Sequence, residues 1–112
     1  MITVEALKEH GADTEEALAR CMNNADFYVM LVGKSLDDAN FGKLREAIDA
    51  KDYEGAFSAA HALKGVVTNL SLTPLAKPVI EITESLRAGE DRDYSGLLDT
   101  MDEQLARLKA LA

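Results

Sequence analysis

The sequence predicts an all-α fold, an antiparallel four-helix bundle with short N-terminal lead-in helices. Three observations carry that expectation. The chain is 47% hydrophobic but only 5% aromatic, with no Trp and two prolines, and its apolar share leans on Ala and Leu, which favours helices over sheets. Apolar residues recur at helical spacing through several segments. The polar breaks between the long segments are short, which makes consecutive helices antiparallel neighbours.

Taken in order, the first segments are brief: about Val4 to Glu9, closed by Gly11, then Glu15 to Met22 with Asp13 or Thr14 as N-cap. They form a lead-in, residues 1–24, covering one end of a bundle over about residues 25–111. A stretch with Phe27, Tyr28, Leu31, Val32 and Leu36 at helical spacing breaks around Asp37 and Asp38 and resumes with Phe41, Leu44, Ala47 and Ile48. Asp52 is the predicted N-cap of a helix from about Tyr53 to Leu70. Thr73 and Pro74 read as N-cap and first position of the next helix, which carries Leu75, Val79, Ile82 and Leu86 and ends near Gly89. Pro78 would remove a backbone hydrogen bond there, so a kink, or a start nearer Lys77, is expected. A last helix from about Tyr94 to Leu111 carries Leu97, Leu98, Met101, Leu105 and Leu108.

The 112 residues suit one domain spanning 1–112, long enough to bury roughly 65% of the unfolded surface. A net charge of −8 argues against nucleic acid and anionic membranes as partners. The longest apolar run, Phe27 to Val32, falls far short of the ~20 residues that span a bilayer. Cys21 alone cannot form an internal disulfide, and the N-terminal residues lack the pattern of a secretory signal, so a cytoplasmic protein is expected. There is no glycine-rich phosphate loop, and His10, Cys21 and His61 lack metal-ligand spacing. No cofactor, no metal and no enzyme activity of its own are therefore expected.

What remains is the segment around His61. With about 100° per residue, Leu63, Val66, Val67 and Leu70, together with Ala56 and Ala59, centre almost opposite His61. The histidine thus points away from its own core. Phe57, Ser58, Lys64, Gly65, Thr68 and Asn69 share its side. Lys64, three residues on, can contact an anion carried by the imidazole. Gly65 costs about 1 kcal/mol relative to alanine in a helix interior, and its missing side chain leaves the flank of His61 open to a partner. An exposed imidazole is a good nucleophile near neutral pH and can accept a phosphoryl group and pass it on. Donor and acceptor must come from other molecules. Phe57 either contacts the docked partner or packs under the lead-in helices.

His61, Leu63, Lys64, Gly65, Leu70 and Leu75 make the chain resemble the histidine-containing phosphotransfer (HPt) domains of multistep two-component relays, whose hallmark is a His-x-Leu-Lys-Gly helix segment. Ser71 stands where that family usually has Gly, and Pro78 is unusual for the following helix. The resemblance implies that His61 is phosphorylated on Nε2, that Lys64 supports the phosphoryl charge and that Gly65 gives access. It implies receiver domains and a hybrid sensor histidine kinase as partners, with magnesium belonging to the receiver. Phe57, Ser58, Thr68 and Asn69 are then candidate partner contacts, and the chain is expected to be a monomer. Met1 and the length lean towards a free-standing protein. Two alternatives compete: the phosphoacceptor and dimerisation part of a histidine kinase, which Ala62 disfavours because an acidic residue normally follows that histidine, and a non-catalytic helical interaction module.

Overall fold

A computed structural model describes residues 1–112 as seven helices without strands: α1 (Val4–His10), α2 (Thr14–Arg20), α3 (Ala25–Ser35), α4 (Asn40–Asp49), α5 (Tyr53–Asn69), α6 (Thr73–Arg87) and α7 (Ser95–Lys109). Short polar side chains open four of them. Thr3, Asp13, Asn24 and Asp52 each accept a hydrogen bond of 3.0–3.1 Å from a backbone N–H of the first turn, satisfying donors that the helix itself cannot.

The helices α4 to α7 pack in chain order, α5 lying between α4 and α6. Arg45 of α4 closes the ring by donating to Asp99 (3.1 Å) and Asp102 (2.7 Å) of α7. α3 leads into α4 across the expected break at Asp37 and Asp38. The core is built from Leu44, from Ala56, Ala60, Leu63 and Val67 of α5, from Leu75, Val79 and Ile82 of α6, and from Leu98, Met101 and Leu108 of α7. Alanines on α5 let its neighbours approach closely.

Two boundaries differ from the sequence expectation. α2 ends at Arg20 rather than Met22, because Met22 and Asn23 adopt left-handed backbone (φ 55° and 59°). α6 has Leu72, not Thr73, as its N-cap. The Leu72 carbonyl accepts from Ala76 N–H at 2.8 Å, which puts Thr73 and Pro74 inside the first turn, where a missing N–H costs nothing. The helix then runs unbroken through the buried Pro78, so it does not wait for Lys77. Pro78 has no N–H to give the Pro74 carbonyl, and the helix accommodates the loss of that one backbone hydrogen bond. Gly11, at φ 114°, is required where α1 meets this start, since a Cβ there would lie 2.9 Å from Pro74 Cγ.

The lead-in helix α2 and the first turns of α3 tie down the C-terminal end of α5. Arg20 donates to the Asn69 carbonyl (2.8 Å) and to Ser71 Oγ (2.9 Å), and the buried Tyr28 hydroxyl donates to the Leu70 carbonyl (2.9 Å). These bonds satisfy carbonyls left over at a helix end, and Arg20 places positive charge at the negative pole of the helix. Burial pushes the Tyr28 phenol up to about 12, so it stays a donor. Ser71 turns the chain with φ 54°, while its N–H and that of Leu72 bond back to Thr68 and Val67, each at 3.0 Å. This is the left-handed helix stop that glycine usually supplies. Ser71→Ala retains the backbone strain and removes the hydroxyl, so it is expected to lower unfolding free energy by about 1 kcal/mol. Ser71→Gly loses the hydroxyl but relieves the strain and should stay within about 0.5 kcal/mol of the parent. Equal urea midpoints for the two variants would show that the residue at this turn is under no backbone strain.

Candidate functional site

His61 lies halfway along the 17-residue α5, between core residues Ala60 and Leu63. It is exposed, as the helical geometry demands once Leu63 and Val67 are buried. A helical side chain leans towards the N-terminus, over the residue four positions earlier. That residue is Phe57, and the two rings stack with centroids 5.6 Å apart and planes 21° apart. Phe57 is half-buried and also carries the Arg87 guanidinium from α6, 5.1 Å from its ring centre. The stack restricts the imidazole's rotation and leaves its edge outward. Phe57 therefore does not pack under the lead-in helices, which bind the far end of α5, about 18 Å along the axis at ~1.5 Å per residue.

On the α6 flank, Lys64 Nζ donates to Glu84 Oε1 at 2.7 Å, and Arg87 Nε donates to Glu84 Oε2 at 3.2 Å. The hydrogen bond from Lys64, and then the charges of both cations, hold the Glu84 carboxyl below the usual carboxylate range. Lys64 is thus beside the histidine as expected, but it already has a carboxylate partner.

On the opposite flank the structure is open. Apart from the helix's own adjacent backbone, no atom lies within 4 Å of where a Gly65 Cβ would be. Ala62, Gly65, Val66 and Asn69 of α5 face Leu31, Lys34, Ser35 and Asp38 across a groove of about 590 Å³. Asn69 therefore lies where the sequence pattern puts it. Ser58 is exposed one turn before the histidine. Thr68 is different: its hydroxyl donates to the Lys64 carbonyl at 2.6 Å, and it faces a separate cleft with Asp13, Glu16 and Lys77. Thr68 is therefore set apart from the groove beside Gly65.

Glu84 and Arg87 were missed by the sequence reading. The only signal was their position three apart on α6, which ordinary surface pairs share. The other histidine, His10, has its Nε2 buried and without a hydrogen-bond partner, and burial together with the Arg107 charge lowers its pKa. Its Nε2 is thus closed to another molecule.

The bundle thus presents an exposed imidazole from the middle of a central helix, with cations on one side and an open groove on the other. The family model for the Hpt domain matches residues 35–111, and the chain belongs to that family. Its fold is similar to the crystal structure of histidine-containing phosphotransfer protein B (HptB) from Pseudomonas aeruginosa PAO1, at 25% identity, a TM-score of 0.77 and 89% coverage of each chain. No curated protein matches the sequence. Family membership makes the chain a histidine phosphotransfer domain, and such domains act as phosphocarriers in phosphorelays.

The empty space around Gly65 has a consequence for stability. Gly65→Ala is expected to raise unfolding free energy by roughly 0.5–1 kcal/mol, the helix-propensity difference, in urea unfolding. A loss of stability would mean that the glycine is needed for packing within the fold rather than for access.

Proposed function

We propose that His61 is the phosphoryl carrier, accepting the group from a receiver-domain phospho-aspartate and passing it to another receiver's aspartate. The observation that carries this reading is the contrast between the two histidines: His61 is exposed between a cation-bearing flank and an open groove, while His10 has its Nε2 sealed. In the forward step the Nε2 lone pair attacks phosphorus as the bond from phosphorus to the aspartate oxygen breaks. The aspartate leaves as a carboxylate and the ring keeps its proton on Nδ1. The reverse step, with a second receiver, regenerates neutral imidazole. Lys64 supports the phosphoryl oxygens, with positive charge placed where negative charge moves. Magnesium belongs to the receiver.

The groove beside Gly65 is the proposed seat of the receiver. Its floor is apolar, from Leu31, Ala62, Val66 and Leu70, and its rim carries Lys34, Asp38 and Asn69, the apolar centre and polar edge usual for protein contacts. Ala62 supports this reading over the kinase fragment, because it places no acidic group beside the ring to assist attack on ATP.

Incubation with a phosphorylated receiver is expected to label the protein with an acid-labile, base-stable adduct that is lost in His61→Gln. Equal labelling of that variant would overturn the assignment. Lys64→Ala is expected to slow transfer about tenfold, ~1.4 kcal/mol of transition-state stabilisation, with stability changed by less than about 1 kcal/mol. Gly65→Gln is expected to obstruct docking with the helix intact, and transfer at the parent rate would remove the access role of Gly65.

A further inference from the structure

The α6 flank of His61 holds two cations and one carboxylate, each oxygen of Glu84 serving one cation. All three side chains are partly exposed: Lys64 32%, Glu84 47% and Arg87 50%. Pairs this exposed contribute little to fold stability. The chain carries far more acidic than basic residues, yet two basic side chains converge here, one beside the histidine and the other on the phenyl ring that stacks against it. Their arrangement bears on the charge that His61 meets more than on holding α5 to α6.

We propose that Arg87 is a second cation of the phosphoryl site and that Glu84 is a positioning residue, tethering Lys64 and Arg87 beside His61 while cancelling one of their two positive charges. The proposal rests on the reading of His61 as the carrier. When the phosphoryl group arrives, the Lys64 ammonium, on a flexible stem, leaves Glu84 Oε1 for a phosphoryl oxygen, while the planar Arg87 guanidinium stays on Glu84 Oε2 and the Phe57 ring. Glu84 then opposes the phosphoryl charge at close range. The phosphohistidine is held less tightly than two free cations would hold it, which keeps the group transferable.

The test is the equilibrium between phospho-receiver and phospho-His61, measured with radiolabelled phosphate at low and high salt. Glu84→Gln keeps the shape and a hydrogen-bonding oxygen but removes the charge. It is expected to shift the equilibrium towards phospho-His61 by about three- to tenfold at low salt, the Coulomb effect of one unit charge near a surface, and to lose most of that shift at ~0.5 M salt. Glu84→Asp, which retains the charge, is expected to stay nearer the parent, and Arg87→Met to shift the equilibrium towards the receiver by a similar factor. A purely structural role for Glu84 would move melting temperature and leave the salt-dependent equilibrium in place. Label on His61 with Glu84→Gln unchanged, or shifted towards the receiver, would overturn this inference alone. Absence of label on the parent protein would overturn the carrier reading and this inference with it.

Discussion

Burial of one stripe of α5 governs the rest of the structure. Ala56, Ala60, Leu63 and Val67 are at most 1% exposed, and a fully buried Leu or Val side chain contributes about 1.5–3 kcal/mol. Rotating α5 by one residue, about 100°, would bring Leu63 and Val67 towards solvent and drive charged and polar side chains into the core. The outward direction of His61 is thus enforced by residues that never touch a partner. A bundle stabilised on one side of α5 leaves its other side free for chemistry.

The same helix is anchored differently at its two ends. Asp52 caps its start through Gly55 N–H, while Tyr28, Arg20 and the left-handed Ser71 close its end with contributions from α2 and α3. The lead-in helices are therefore part of what fixes α5 along its axis. Between the anchors, the contacts of His61 are of another kind. A ring stack and partly exposed ion pairs can exchange partners at small cost, whereas the core contacts cannot. Rigid backbone and exchangeable side chains suit the carrier role proposed for His61.

Much of this was legible in sequence, and the reason is periodicity. Apolar positions with a 3.6-residue repeat identified the helices from α3 to α7, Asp52 marked the start of α5, and the angular position of His61 followed from Leu63 and Leu70. What periodicity cannot supply is the relation of one helix to the next. Glu84 and Arg87 reach Lys64 and Phe57, the neighbours of His61, only because α6 packs against α5 in one register, and no local pattern contains that register. Thr68 shares the wheel sector of Lys64 but lies near the end of the helix, where it faces a cleft shared with the lead-in residues Asp13 and Glu16. The end of α2 and the start of α6 were misplaced for a related reason: each depends on backbone closure, at Met22 and Asn23 and at Ser71 and Leu72, in residues whose types do not advertise left-handed or capping conformations. Ser71, in place of the family's usual glycine, adopts that conformation all the same, its hydroxyl bonded to Arg20.

Gly65 separates the demands of folding from those of function. A glycine enforced by packing has a neighbouring atom where its Cβ would be, as Gly11 does with Pro74. Gly65 has none, and its backbone is ordinary helix, so nothing within the chain compensates for its low helix propensity. Gly33, Gly42 and Gly96 share that open surrounding, but Gly65 is the one that lies a turn after His61 and lines the groove between α3 and α5. Natural proteins keep locally unfavourable residues where activity requires them. The site thus combines a floor fixed by the core, cations shared with a carboxylate and a wall lowered at one glycine, an arrangement in which folding and the proposed docking draw on different residues of the same helix.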